Sequence, residues 1–319
     1  MEACHHVVSS ERHHPHLQQS VARTVCRGLL APADSAPHEV LVCDDGSTDD
    51  TLALLRTVFA DVPNVKVLSL PHSGFPAAAR NAGIAAASGD WLAFLDSDDV
   101  WLPEKTARQW AAIQAQPAIG LVCANAFVAR HGDDPQMRAT LLRDVPTGEV
   151  SLARLLEENI VITSSALVKR TLLQAAGAFS VQPGLRSAED YELWLRLATL
   201  APVHYLDEPL VIYQDDSADS VRRGDMPSSL WQAHLTALKS FRAHLTTAGP
   251  SPQNNRLLHA TATTQLQGHM KRCVSLYRES RYALCVRELA MLCATQPLAA
   301  AREIASRLFS ATGYGPRQD

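Results

Sequence analysis

Trp91-Leu92-Ala93-Phe94-Leu95-Asp96-Ser97-Asp98-Asp99 decides how this chain is read. Five apolar or small residues in a row, after the Gly89-Asp90 turn signal, predict a buried strand. Three carboxylates within four residues follow it directly. Like charges packed that closely disfavour joint ionisation unless something positive sits among them. A hard divalent cation, Mg²⁺ or Mn²⁺, takes oxygen ligands from one or two carboxylates and from substrate phosphates. Ligands of open α/β sheets bind beyond the carboxyl ends of the strands, which is where this cluster falls. The competing reading is a solvated acidic loop capping the next helix, since Pro103-Glu104 resembles a helix start.

Upstream, Glu39–Cys43 is a short apolar run that also ends in carboxylates, Asp44-Asp45-Gly46-Ser47-Thr48-Asp49-Asp50. Ser47 and Asp50 have the spacing of a capping box for a helix Thr51–Ala60, which leaves Asp44 and Asp45 unexplained. Val65–Leu70 reads as a strand and Phe75–Ser88 as a helix closed by Gly89. That helix is mostly Ala and Gly, so it can pack closely on a sheet and bring Arg80 to a phosphate; otherwise Arg80 is an ordinary surface charge. Downstream, Pro103–Gln116 is a helix, Gly120–Val128 a strand and His131–Glu149 an irregular loop. Val161–Val168 is a strand, Arg170–Ala176 a helix stopped by Gly177, and Ala188–Thr199 a helix. On the last of these Asp190, Trp194 and Leu197 share one face, so Asp190 is expected over the buried stripe and Glu189 and Glu192 facing water. Val203–Leu206 and Leu210–Tyr213 finish the sheet. From Met226 onward strand signals vanish. Ser228–Leu245, Arg256–Glu279, Arg281–Thr295 and Pro297–Ser310 read as helices, with Ala283, Val286, Leu289 and Ala290 as a packing face.

Composition narrows the function classes. The 319 residues are 46% hydrophobic and 19% charged, a globular balance, and the net charge of −4 supplies no basic footprint for nucleic acid. No run of eighteen apolar residues spans a membrane, and the N-terminus has no secretory pattern. The seven cysteines are odd in number and lack a Cys-x-x-Cys pair, which suits reduced thiols in the cytoplasm. Five of the thirteen histidines fall in the first sixteen residues, in no familiar zinc spacing. Lys271, Arg272, Arg278, Arg281 and Arg287 would suit a membrane surface, but acidic residues intervene and no Trp accompanies them in sequence, favouring a solvated face.

The two acidic strand ends, Asp-Asp-Gly-Ser-Thr-Asp-Asp and Asp-Ser-Asp-Asp, resemble those of the family 2 glycosyltransferases. Arg80-Asn81-Ala82-Gly83 and Ser88-Gly89-Asp90-Trp91 between them are similar to that family too. So are Val100-Trp101-Leu102-Pro103-Glu104-Lys105 and Ala188-Glu189-Asp190-Tyr191-Glu192-Leu193-Trp194. The resemblance covers roughly Leu17 to Ile212, and with Arg80–Gly83 and Ser88–Trp91 taken as one, five motifs in order are far more specific than any one. It implies an α/β, GT-A type, mostly parallel sheet with helices on both faces, followed here by a C-terminal helical appendage. It implies a UDP- or dTDP-linked sugar donor and transfer with inversion. Asp45 would contact the base or ribose, with Asp44 beside it, and Arg80 would lie near the nucleotide or its phosphates. Asp96 and Asp98 would form the Asp-x-Asp motif, Asp98 being the first choice as ligand to Mg²⁺ or Mn²⁺. Asp190 would be the general base. The acceptor would be a hydroxyl of a cell-surface glycan or glycolipid precursor, reached from the cytoplasm, with peripheral association at the inner membrane face as an option.

One expectation runs against the resemblance. Family members begin with an apolar strand, whereas Cys4–Arg12 keeps only Val7-Val8 as apolar neighbours. A strand buried on both faces reads as a near-continuous apolar run. The expected domains are therefore a disordered terminus at 1–16, a GT-A domain at 17–225 lacking its first strand, and a helical region at 226–319. A non-catalytic nucleotide-sugar-binding or scaffold relative is the alternative that such a loss would favour. After Tyr213, Gln214-Asp215-Asp216 stands where the family often has a basic residue, and Arg222 and Arg223 are the candidate substitutes. A nucleotidyltransferase would want a Gly-rich phosphate loop near the N-terminus, and the sequence has none.

Overall fold

The computed structural model describes residues 4–10, 39–129, 139–214 and 228–295. The chain divides into two compact units, 1–220 and 221–319. The expected helices at Leu17–Leu30 and Pro297–Ser310, the basic pair Arg222 and Arg223, and the 225/226 boundary lie outside the described residues.

The first unit is an α/β sheet. Its strands are β1 (Cys4–Ser10), β2 (Glu39–Asp44), β3 (Val65–Ser69), β4 (Trp91–Asp96), β5 (Val100–Trp101), β6 (Leu121–Ala129), β7 (Gly148–Val150), β8 (Leu167–Lys169) and β9 (Val203–Gln214). Its helices are α1 (Thr51–Val58), α2 (Pro76–Ala86), α3 (Lys105–Ala115), α4 (Leu152–Glu157), α5 (Arg170–Ala176) and α6 (Glu189–Ala198). The strand order is β3-β2-β1-β4-β8-β6-β9-β5, with β7 also on β9. The long pairings, β1 with β2 and β4, β2 with β3 and β6 with β9, are parallel; the short ones made by β5, β7 and β8 are antiparallel. This is the GT-A type arrangement expected from the sequence.

The expectation that the first strand is missing is corrected. Cys4–Ser10 lies between β2 and β4, with Val7 level with Leu41 and Phe94, and Ser10 level with Asp44. The reason is backbone demand. β2 and β4 are buried along nearly their whole length, and without a strand between them two rows of amides and carbonyls would go unpaired. That requirement prevails over the polar side-chain pattern of His5, His6, Ser9 and Ser10.

Small residues bring α2 onto β1 and β2: Ala77, Ala79 and Gly83 are all buried. Phe94 of β4 joins Phe179 and Trp194 in an aromatic cluster with centroids 5.3–6.4 Å apart, Phe179 meeting both of the others edge to face. Asn81 ties α2 to the same region, its amide donating to Phe179 O (2.8 Å) and accepting from Phe179 N (2.9 Å). Cys43 and Cys123 are buried thiols pushed up to about 12 by that burial, which makes them inert core filler.

Three local expectations change. The run Val161–Val168 is not one strand but a 3₁₀ turn, Thr163–Ser165, followed by β8. Ser164 and Ser165 divert it, because their hydroxyls accept from the amides of Asp96 (3.0 Å) and Ala124 (3.1 Å). Val203–Leu206 and Leu210–Tyr213 fuse into β9, whose pairing with β6 shifts register at Asn125. Ser47 does not cap α1: its hydroxyl and amide turn back to Asp44, and Asp49 accepts from Thr51 N at 3.0 Å.

The second unit holds α7 (Ser228–Thr247), α8 (Pro252–Arg278) and α9 (Tyr282–Thr295). Ser251 caps α8 through Asn254 N, and Pro252 stands in its first turn. Leu266, Met270 and Leu292 form a core with Leu289 against it. Of the expected packing face on α9, Leu289 packs, whereas Ala283, Val286 and Ala290 are exposed. No helix among the described residues is long and apolar enough to cross a membrane.

Candidate active site

The site gathers at the carboxyl ends of β1, β2 and β4, where the register sets Ser9 level with Asp96 and Ser10 level with Asp44. Each side chain there has a local cause. Gly46, just after β2, holds φ at +74°, and a Cβ would come within 2.7 Å of His72 N, so the turn admits only glycine. The tight turn sends the Asp45 carboxylate into the next loop, where it accepts from Ser73 N (3.0 Å), Ser73 Oγ (2.8 Å) and Gly74 N (2.8 Å). Asp45 thus orders the loop before α2, and Asp44 is fully buried and accepts from the amide and hydroxyl of the half-buried Ser47.

Arg80, one turn into α2, is buried and not a surface charge. Its Nη2 donates to Asp96 Oδ1 at 2.7 Å and its Nη1 to Glu189 Oε1 at 3.2 Å, and its guanidinium carbon lies 5.4 Å from the centre of the Phe179 ring. Burial works against its charge, but Asp96 and Glu189 more than offset it and hold the group firmly protonated. This is the positive charge that the acidic cluster requires. Even so, burial and then the charges of Asp98 and Asp96 push the Asp99 carboxyl well above the usual range, against hydrogen bonds from Ser164 and from Gln214 N. Glu189 is raised as well, by burial first and by Asp190 next. Arg80 Nε and Glu189 Oε2 find no hydrogen-bond partner among the described residues.

The face assignment of α6 is reversed. Glu189 and Glu192 are buried, at 4% and 3% exposed, and Asp190 is the half-buried one. Glu189 is turned in by Arg80, and Glu192 by Arg196, whose Nη2 reaches it at 2.7 Å while Nη1 and Nη2 also donate to Ala176 O and Ala178 O. Asp190 is fixed differently: Thr163 Oγ1 donates to its Oδ2 at 2.9 Å and Tyr191 N to its Oδ1 at 2.6 Å. Sequence reasoning missed Glu189, Thr163 and Ser164. Only Glu189 had a signal, its place in the Glu-Asp pair; the other two sit in what read as plain strand.

The donor set suits a hard cation in type, since Asp96 and Asp98 offer carboxylate oxygens. No group of three or more His, Cys, Asp or Glu residues among the described ones converges to hold a metal alone. One or two carboxylates completed by phosphate and water match that arrangement.

Comparisons with known proteins agree with the geometry. The fold is similar to the crystal structure of S. aureus TarS (residues 1–349) in complex with UDP-GlcNAc, at TM-score 0.65 and 17% identity over 99% of this chain and 94% of that one. It is also similar to the mannosyltransferase PcManGT from Pyrobaculum calidifontis in complex with GDP-Man and Mn²⁺, at TM-score 0.56 and 21% identity, covering 99% and 81% of the two chains. In sequence, 29% of 164 residues are identical to the Escherichia coli enzyme UDP-Glc:alpha-D-GlcNAc-diphosphoundecaprenol beta-1,3-glucosyltransferase WfgD, over 51% of this chain and 58% of that protein. Matches to three other relatives span 17% to 34% of their lengths. The sequence profile named Glycosyl transferase family 2 matches residues 18–177, half of the chain. With the sheet, the two acidic strand ends and the Glu-Asp helix all in the expected order, the chain belongs to glycosyl transferase family 2.

Proposed function

We propose that this protein is an inverting glycosyltransferase that moves a sugar from a nucleotide diphosphate, UDP- or dTDP-linked, to a hydroxyl of a lipid-linked glycan precursor. The single observation that supports it most is Arg80, which holds the Asp-x-Asp turn and the Glu-Asp helix start together through Asp96 and Glu189. Donor and acceptor chemistry then share one rigid support. Asp190 is the general base, removing the acceptor hydroxyl proton as attack proceeds. Thr163 and the Tyr191 amide orient its carboxylate, and Asp190 keeps the exposure that its two buried neighbours lack. Inversion needs only this one base, because attack and departure use opposite faces of the sugar. Asp45 acts through the Ser73–Gly74 loop that it orders beside the nucleotide, with Asp44 and Ser47 bracing it. Asp98 and Asp96 would hold Mg²⁺ or Mn²⁺, whose positive charge favours the departing diphosphate.

The relative named as acting on a diphosphoundecaprenol-linked sugar supports the lipid-linked acceptor, and with it action at the inner face of the membrane. The scaffold alternative drew its support from a missing first strand, and β1 is in place.

Asp190→Asn should leave UDP affinity within a few fold by calorimetry while turnover falls by about 10²–10⁴. UDP should bind more weakly in EDTA than with Mn²⁺, and Asp98→Ala should abolish that difference. Full turnover in Asp190→Asn, or metal-independent binding, would refute the respective assignment.

A further inference from the structure

The surface around the α8–α9 turn differs from the rest of the molecule. Of the eight large hydrophobic residues exposed among the described ones, five lie between Val274 and Met291. Val274 (41% exposed), Tyr277 (64%) and Arg278 follow at i, i+3 and i+4 on α8 and so share a face. Tyr282 (55%) and Val286 (66%) repeat that spacing on α9. The Tyr277 and Tyr282 rings meet edge to face with centroids 5.4 Å apart, joining the two stripes across the turn. Lys271, Arg278 and Arg287 are exposed around them, and Lys271 extends over the Trp231 ring at 5.3 Å.

In the sequence, Glu279 and Glu288 interrupt these cations and argue for a merely solvated face. The structure removes that objection. Glu279 turns back on the start of α7, accepting from Ser228 N and Oγ at 2.7 Å each, with Arg281 3.6 Å away. Glu288 is buried, 2.5 Å from His269 and paired with Arg272. Hydrogen bonds from Ser228 hold Glu279 below the usual carboxylate range; at Glu288 burial pushes upward, and His269 and Arg272 overcome it. Both acids are therefore matched within the helical unit: Glu288 is buried, and Glu279, although exposed, is committed to Ser228 and Arg281. The other large and charged side chains at this surface are aromatic, aliphatic and basic.

We propose that the α8–α9 turn docks on an anionic lipid surface, with Val274, Tyr277, Tyr282 and Val286 entering the headgroup layer and Lys271, Arg278 and Arg287 meeting anionic headgroups. Apolar and aromatic side chains flanked by cations are the pattern that an anionic interface rewards. A second copy of the chain fits worse, because a two-fold contact on this face would set its own cations against themselves. The proposal rests on the membrane-side acceptor reading for its purpose only, and its test uses neither donor nor turnover.

The full chain should be sedimented with vesicles of phosphatidylcholine alone and of phosphatidylcholine mixed with phosphatidylglycerol. Binding should require the anionic lipid and fall as salt is raised. Arg278→Gln and Arg287→Gln should each weaken it by about fivefold. Tyr277→Ser and Val286→Ser should weaken it as well, with unchanged melting temperatures, whereas Val181→Ser, an exposed apolar change in the first unit, should not. Equal binding to both vesicle types, or wild-type binding by all four turn variants, would overturn the proposal. So would a lipid-free dimer that Val286→Ser converts to monomer, which would assign the face to a second copy.

Discussion

A guanidinium presents its donors in a rigid plane, and at Arg80 two of them go to carboxylates from different parts of the chain, Asp96 and Glu189. Lysine, a single point charge, would not span both. Buried charges of this kind stabilise a fold only while each has its partner, and the same holds for Glu192 and Arg196 on α6. Glu192→Gln should therefore destabilise the protein by about 3 kcal/mol, since it leaves a buried guanidinium with carbonyl partners but no counter-charge. Denaturant unfolding of that variant checks this, and a midpoint equal to wild type would contradict it. Helical spacing had placed Glu192 in water. Spacing tells which residues share a face but not which face is covered, and the covering groups here are the carbonyls of Ala176 and Ala178 and the side chain of Arg196. Asp96, Asp98 and Asp190 were singled out through the order of motifs shared with the family, since an acidic residue at a helix start is by itself equally at home as favourable charge there. Arg80 was noticed, yet its partners were not, because Glu189 lies 109 residues further along the chain.

At the scale of elements, apolar runs identified β2, β3, β4 and β6 to within a residue or two, and Gly177 ends α5 in the left-handed conformation as glycine caps do. β1 was illegible for a physical reason. Its side chains do not announce a buried strand; its neighbours do, through the pairing they require on both sides. Amide hydrogen exchange should accordingly show strong protection across Val7–Ser10, comparable with Leu41 and Phe94. Free exchange there would mean that β2 and β4 do without it. The 3₁₀ turn at Thr163–Ser165 was missed because Ser164 and Ser165, neutral in isolation, use their hydroxyls as surrogates for ladder bonds.

Over the whole molecule, each unit combines apolar packing with buried ion pairs. The sheet unit has backbone pairing, an aromatic cluster and the pairs of Arg80 with Asp96 and Glu189 and of Glu192 with Arg196. The helical unit rests partly on Glu288, whose carboxyl is held below its ordinary range by His269 and Arg272 despite its burial. A carboxyl depressed by folding adds stability that is fully present above its unfolded pKa, about 4.3, and lost as pH falls through the folded value. The melting temperature of wild type should therefore exceed that of Glu288→Gln at neutral pH, and the two should converge as pH is lowered past that window. A constant gap across pH would show that Glu288 contributes by shape alone.

The strand order also governs how the protein is born. β4 is flanked by β1, which is synthesised before it, and by β8, which is synthesised well after it. On the ribosome the β3-β2-β1-β4 half can assemble while the far edge of β4 remains bare, and a bare apolar edge templates pairing with other chains. A product released between Asp96 and Leu167 would carry that edge permanently and precipitate or occupy chaperones. Three residues, Leu167–Lys169, are what finally pair with that edge of β4.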